Sequence, residues 1–240
     1  MSQVKERPIL FSAPMVRAIL DGRKTVTRRP VKTDWIQSDR APLNTAPGLF
    51  HFWCSGEHVC PYGEPGQRLW VRETWYCDHD DVMRGPYLEP DNLDVREARE
   101  DGTLVYAADG LTPYEQEQPV WKPSILMPRW ACRILLEITD VRVERLQDIS
   151  EEQAKAEGCF FTDHGKACFH SGKGVRDAAH CELPESTHQQ RNGWMWDQTT
   201  SHEQCLGSAR NAFGNLWQTT GGDWAANPWV WVIEFKRVTP

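Results

Sequence analysis

The chain has 240 residues, is 40% apolar with 12 tryptophans, and carries a net charge of −7. That is enough apolar material for a packed core, no stretch reaches the ~18 consecutive apolar residues of a membrane span, and the net acidity argues against non-specific binding to a nucleic-acid backbone. The N-terminal residues lack the apolar core of an export signal, so the chain reads as cytoplasmic, with its eight cysteines as free thiols or metal ligands.

Charge is unevenly spread. Residues 78–117 hold twelve acidic and three basic residues, a local −9, which leaves +2 for the rest. The basic residues near the N-terminus (Arg17, Arg23, Lys24, Arg28, Arg29, Lys32) are therefore available to line a site if the acidic segment lies elsewhere.

In chain order, Pro8-Ile9-Leu10-Phe11 reads as a short edge strand. Ser12 and Pro14 open a helix in which Met15, Val16, Ile19 and Leu20 share one face, and Gly22 closes it. Lys24 to Thr27 then begins at a fixed place, and Pro30 prevents a central strand from running on. Residues 31–65, rich in Pro, Gly, Asn and Ser, read as a loop or small subdomain. Within them Cys54, His58 and Cys60 offer three soft ligands where a structural zinc usually takes four, so zinc there is a minor alternative to a plain loop.

Leu69, Val71 and Glu73 alternate with Trp70, Arg72 and Thr74 in a strand after a turn-rich stretch. The acidic segment 78–101 has weak periodicity and reads as an excursion. Residues 103–108 read as a strand ended by Asp109-Gly110. Two prolines keep Trp121 to Trp130 irregular, and sites are often built on such loops. Residues 133–143 form the clearest strand, with an irregularity near Asp140. Ser150 and Gln153 match a capping box, and Glu157 ends that short helix just before Gly158, where the helix dipole disfavours a carboxylate.

Residues 159–205 contain Cys159, His164, Cys168, His170, His180, Cys181, His188, His202 and Cys205. They offer enough ligands to fold round a zinc ion, but their spacings match no compact zinc module, so the segment reads rather as an unstructured polar insertion with scattered Cys and His. A helix follows over residues 208–218, and Trp229 to Phe235 reads as a buried strand. The order of elements gives an α+β class: a small curved sheet or barrel with peripheral short helices.

Several of these pieces together resemble the ASCH (activating-signal-cointegrator homology) family, and most closely its longer phage and prophage versions. They are Pro8-Ile9-Leu10-Phe11, Gly22-Arg23-Lys24-Thr25-Val26-Thr27-Arg28-Arg29-Pro30, Cys60-Pro61-Tyr62-Gly63, Leu69-Trp70-Val71-Arg72-Glu73-Thr74, Trp121-Lys122-Pro123-Ser124, Met127-Pro128-Arg129-Trp130 with Arg133, and Asn227-Pro228-Trp229-Val230-Trp231-Val232. The resemblance implies a PUA-like β-barrel, one domain over residues 1–240 with excursions at about 31–65 and 78–118 and the Cys/His-rich insertion at 159–205, in a phage- or prophage-encoded protein of the bacterial cytoplasm. The family holds RNA-associated modules, a ribonuclease-like branch and small amidohydrolases of N4-acetylcytidine. The amidohydrolase pattern falls here on Lys24, Thr27 and Glu157, whereas Gln67 stands where phage members usually carry an aspartate.

Carried over, the resemblance implies an enzyme without a cofactor that cleaves an amide on a nucleobase. Thr27 is the nucleophile, Lys24 its base once Arg23, Arg28 and burial lower its pKa, and Glu157 the acid or base at the leaving nitrogen. Arg23, Arg28, Arg72, Glu73, Trp121, Ser124, Arg129 and Trp130 are the expected substrate-binding residues. The rival expectation is a non-catalytic reader of RNA or of a modified base that uses the same Arg and Trp side chains. A third is a zinc-stabilised protein or nuclease. No membrane and no partner protein is expected; the partner is a nucleoside or RNA ligand.

Overall fold

The computed structural model describes residues 4–36, 39–83, 85, 87–110, 120–170, 176–178 and 181–239. Among them no helix is long and apolar enough to cross a membrane. The architecture is mixed α and β with several separate sheets. The chain divides into two units, residues 1–146 with 228–240 and residues 147–227.

β1 (Glu6–Leu10) leads to α1 (Ala13–Leu20) through Ser12, which has the extended backbone of an N-cap but makes no side-chain capping bond. Gly22, at φ +72°, ends the helix as expected, and the N–H groups of Arg23 and Lys24 both return to the Ala18 carbonyl at 2.9 Å. Next come β2 (Val26–Pro30), β3 (Leu43–Ala46), β4 (Leu49–Phe52), β5 (Gly56–Val59), β6 (Arg68–Arg72) and β7 (Trp75–Cys77). The short helices α2 (Asp80–Met83) and α3 (Val95–Glu100) precede β8 (Leu104–Tyr106) and β9 (Leu135–Arg145). The remainder is α4 (Glu151–Ala156), β10 (Phe160–Cys168), β11 (Arg176–Asp177), β12 (Gln189–Met195), α5 (Ala209–Thr219) and β13 (Trp229–Val238).

The first unit is built on a five-stranded sheet in the order β1-β6-β9-β13-β2. β1 pairs with β6 in parallel and the other neighbours are antiparallel. The irregularity expected near Asp140 is real: Glu234 faces Asp140 but Phe235 faces Ile138, so β9 carries one extra residue there. The closed barrel is a correction. Among the described residues this sheet is open, with β1 and β2 as its edges. Pro8 removes a donor from β1, and α1 intervenes between the two edge strands. The link from the end of β1 to β2 is a side chain, Arg29 Nη2 donating to the Leu10 carbonyl at 2.5 Å.

Alternation in β6 buries Leu69 and Val71, as their spacing implies, and Glu73 with them. The stretch read as a loop or small subdomain over residues 31–65 contains the antiparallel meander β3-β4-β5. Its inward residues Phe50 and Phe52 set their ring edges against Trp231, at centroid distances of 5.2 and 6.0 Å. The acidic excursion also differs from expectation. Its Val82 and Ala98 are buried in one cluster with Trp75, Met127 and Ala131 and with Leu104 and Tyr106 of the expected strand, β8, which pairs with β7. Residues 111–119 of that segment lie outside the described residues.

In the second unit the capping box is formed in full: Ser150 Oγ accepts from the Gln153 N–H and Gln153 Oε1 from the Ser150 N–H. α5 packs Phe213 against Trp217 and Trp224. Its first N–H groups are met by Glu151, whose Oε2 accepts from Ala209 N at 2.9 Å, and by the Ser208 hydroxyl. The polar insertion is not irregular. Residues 160–195 contain the three-stranded antiparallel sheet β11-β10-β12, whose alternation of exposed and half-buried side chains over β10 composition alone concealed.

Candidate functional site

Lys24 and Thr27 sit where α1 hands over to the sheet. Lys24 is held from both sides in sequence: its own N–H bonds the end of α1, and the Thr25 carbonyl accepts from Phe235 N on β13 at 2.9 Å. The side chain is 2% exposed, and its Nζ lies 5.6 Å from the centroid of the Phe11 ring. Burial of a lysine to this degree is costly unless its charge is balanced or used, so such positions are over-represented at functional sites. Thr27 is also buried. It lies opposite Ile233, which in turn faces Val141, so the threonine shares an apolar sheet face.

Arg28, the next residue, takes the other face by the two-residue period of a strand. There it donates to Glu144 Oε2 at 3.2 Å, inside a network in which Arg142 bonds Asp140, Glu144 and Glu234. Burial works against the Arg142 charge, and the three carboxylates more than offset it, holding the guanidinium well above its ordinary pKa. Arg28 is thus directed away from the face that carries Thr27. Arg23 donates to Asp21 at 2.9 Å and is half-buried.

Glu157 is the C-cap residue of α4 in the second unit and is 2% exposed. Its neighbour Gly158, at φ +106°, turns the chain out of the helix. A buried carboxylate at a helix C-terminus is placed against the dipole, so the oddity visible in the sequence persists in the fold.

Of the other expected substrate-binding residues, Glu73, Arg72, Arg129 and Trp130 bond within the protein itself. Glu73 is 1% exposed and accepts two bonds of 2.9 Å from Arg133, whose Nη1 also donates to Asp109 at 2.7 Å. Burial pushes the Glu73 carboxyl up, with Arg133 opposing that rise. Arg72 Nε donates to the Met127 carbonyl at 3.0 Å and its Nη2 to Ile125, so it ties the 121–130 loop to β6. Arg129 pairs with Glu6 at 2.8 Å. Trp130 donates to the Tyr87 carbonyl and sets its ring edge-on to Trp75. Ser124 opens a single 3-10 turn, and Trp121 is half-buried. Lys122, which sequence reasoning did not select, is buried with its Nζ 5.0 to 5.7 Å from the Tyr76, Tyr87 and Trp75 rings. Its pKa is lowered, chiefly by burial.

Among the described residues, metal-ligating side chains gather in the Cys/His-rich insertion and not at Cys54, His58 and Cys60. Cys54 is exposed, Cys60 is fully buried with its thiol pushed up to about 11 by burial, and the His58 ring stacks on Trp35 at 4.0 Å and bonds Ser55. These three do not form a ligand set among the described residues. The set that does form is Cys168, His170, Cys181 and His188, whose ligand atoms all lie within 4.8 Å of one another. The signal in the sequence was the Cys-x-His pair at 168–170; the two remaining ligands are brought in only by strand pairing. His180, from the same stretch, lies outside the described residues.

No protein-family model matches the chain, no curated protein matches it, and no solved structure matches it.

Proposed function

We propose that the chain is a PUA-like protein of the ASCH type that hydrolyses an amide on a nucleobase, of the kind found in N4-acetylcytidine. The observation that carries the reading is the burial of both Lys24 and Thr27, three residues apart, at the junction of α1 and β2. An amine removed from water is the form in which lysine acts as a base, and a hydroxyl three residues on is the natural recipient of that help.

In this reading Thr27 Oγ attacks the amide carbonyl and its proton passes to Lys24 Nζ. The C–N bond breaks as Lys24 Nζ passes that proton to the leaving N4 nitrogen, and water then cleaves the threonine ester to release acetate. Arg28 points into the charge network on the opposite sheet face, so backbone N–H groups rather than Arg28 are the donors assigned to the oxyanion; such a donor contributes typically ~3 kcal/mol. Glu157 comes from the second unit, so its part is tested kinetically: Glu157→Gln alone and combined with Lys24→Met report whether the two groups serve one reaction.

The test is to incubate the full chain with N4-acetylcytidine and follow cytidine and acetate. Turnover that Lys24→Met and Thr27→Val each depress supports the reading; no turnover, or turnover insensitive to both, removes it. The rival reading, a non-catalytic reader of RNA, has less in its favour because Arg72, Arg129 and Trp130 are occupied by intramolecular bonds. It predicts an affinity for RNA that falls steeply with salt, which a nucleoside hydrolase does not share.

A further inference from the structure

The geometry points to a structural zinc site in the second unit, formed by Cys168, His170, Cys181 and His188. These ligands come from one end of the small sheet. Cys168 is the last residue of β10 and His170 follows it; Cys181 follows β11; His188 directly precedes β12. Cys168 Sγ and Cys181 Sγ lie 3.5 and 3.9 Å from His170 Nδ1. A tetrahedron with Zn–S and Zn–N bonds of ordinary length has edges of roughly 3.3–3.8 Å. Two edges are therefore near their final length, and the set closes with shifts of about an ångström or less.

A second observation is independent of the clustering. His188 is 8% exposed, yet among the described residues neither of its ring nitrogens has a hydrogen-bond partner. Buried imidazoles are normally satisfied. Here the ring stands edge-on to His170 at a centroid distance of 5.2 Å, and its ligand atom lies within 4.8 Å of both thiol sulfurs. Coordination would employ one of those nitrogens. Two thiolates and two imidazoles select a soft, tetrahedral divalent ion, and four protein ligands leave no open position for catalysis.

The β10–β11 pairing at this end of the sheet is also short. β11 has two residues and pairs with β10 only through Ala167↔Asp177 and Cys168↔Arg176. Most side chains of β10 and β12 are half-buried or exposed. A strand pairing this short does not hold by itself; a metal joining the ends of three strands supplies the missing constraint.

The experiment uses the untagged full chain purified without chelator from zinc-supplemented cells. Elemental analysis is expected to give one zinc per chain. The Cys168→Ser/Cys181→Ser variant is expected to lose it, while Cys54→Ser/Cys60→Ser retains it. Because the first variant could misfold, the unsubstituted chain is also stripped and titrated with Co2+. The intense visible bands of a tetrahedral thiolate complex, saturating at one equivalent and bleached by zinc, are expected. Limited proteolysis of the stripped chain should cut within residues 160–195 sooner than in the zinc-loaded one. Absence of metal with no tetrahedral cobalt spectrum, or zinc retained at full stoichiometry in the Cys168/Cys181 variant, overturns the site.

Discussion

Glu73 and Arg133 meet through two parallel hydrogen bonds of 2.9 Å, with the carboxylate almost completely removed from water. The pair joins the strand end after β6 to the segment that opens β9, and the Arg133 guanidinium also lies 4.0 Å from the centroid of the Tyr106 ring. Fork-to-fork geometry of this kind fixes orientation as well as charge. The role is structural, which is why a residue that looked like a substrate ligand is unavailable to one.

Removing one partner should therefore cost far more than removing both. Arg133→Met strands a buried carboxylate and is expected to lose about 3–5 kcal/mol in urea unfolding, whereas Glu73→Leu combined with Arg133→Met should recover most of that loss. Equal destabilisation by the single and double variants would show that the pair itself, rather than the uncompensated charge, sets the cost.

Buried thiols make stability alkali-sensitive. Burial raises Cys60 and Cys77 to about 11, from a value near 9 in the unfolded chain. The folded state thus holds protons that the unfolded state releases, and this contribution is fully present below pH 9 and lost as pH rises through 11. Its size is on the order of 2 kcal/mol per thiol. Chemical unfolding from pH 8 to 11 should show the decline, and it should be shallower in Cys60→Ala and Cys77→Ala. Exposed Cys54 should react with a thiol reagent at pH 8 well before these two.

Lys24→Met tests the proposed base without removing much volume. Turnover of N4-acetylcytidine should fall by about 10²–10⁴-fold, and Thr27→Val should fall to a similar floor because the two act as one unit. If kcat is unchanged while only the melting temperature moves, Lys24 is a packing residue.

Ser150 closes the capping box at the start of α4. Ser150→Ala should destabilise the second unit by about 1 kcal/mol. Urea unfolding followed by a signal from that unit checks it, and an unchanged midpoint would show that the cap contributes nothing.

Local rules made much of the fold legible in advance. Gly22, the Ser150–Gln153 box, the alternation of Leu69, Val71 and Glu73, the irregularity at Asp140 and the apolar run at Trp229 all express short-range chemistry: backbone freedom at glycine, reciprocal capping, and the two-residue period of a strand. Those signals placed Lys24, Thr27 and Glu157 at the ends of elements. What depends on partners distant in the chain was not legible. Whether Glu73 meets substrate or Arg133, whether Arg28 shares a face with Thr27, and whether four Cys and His ligands spread over twenty-one residues converge are set by strand register and packing. Side-chain type restricts the chemistry a residue can do, but its partner is chosen by the sheet, because a shift of one residue in register turns every side chain to the other face.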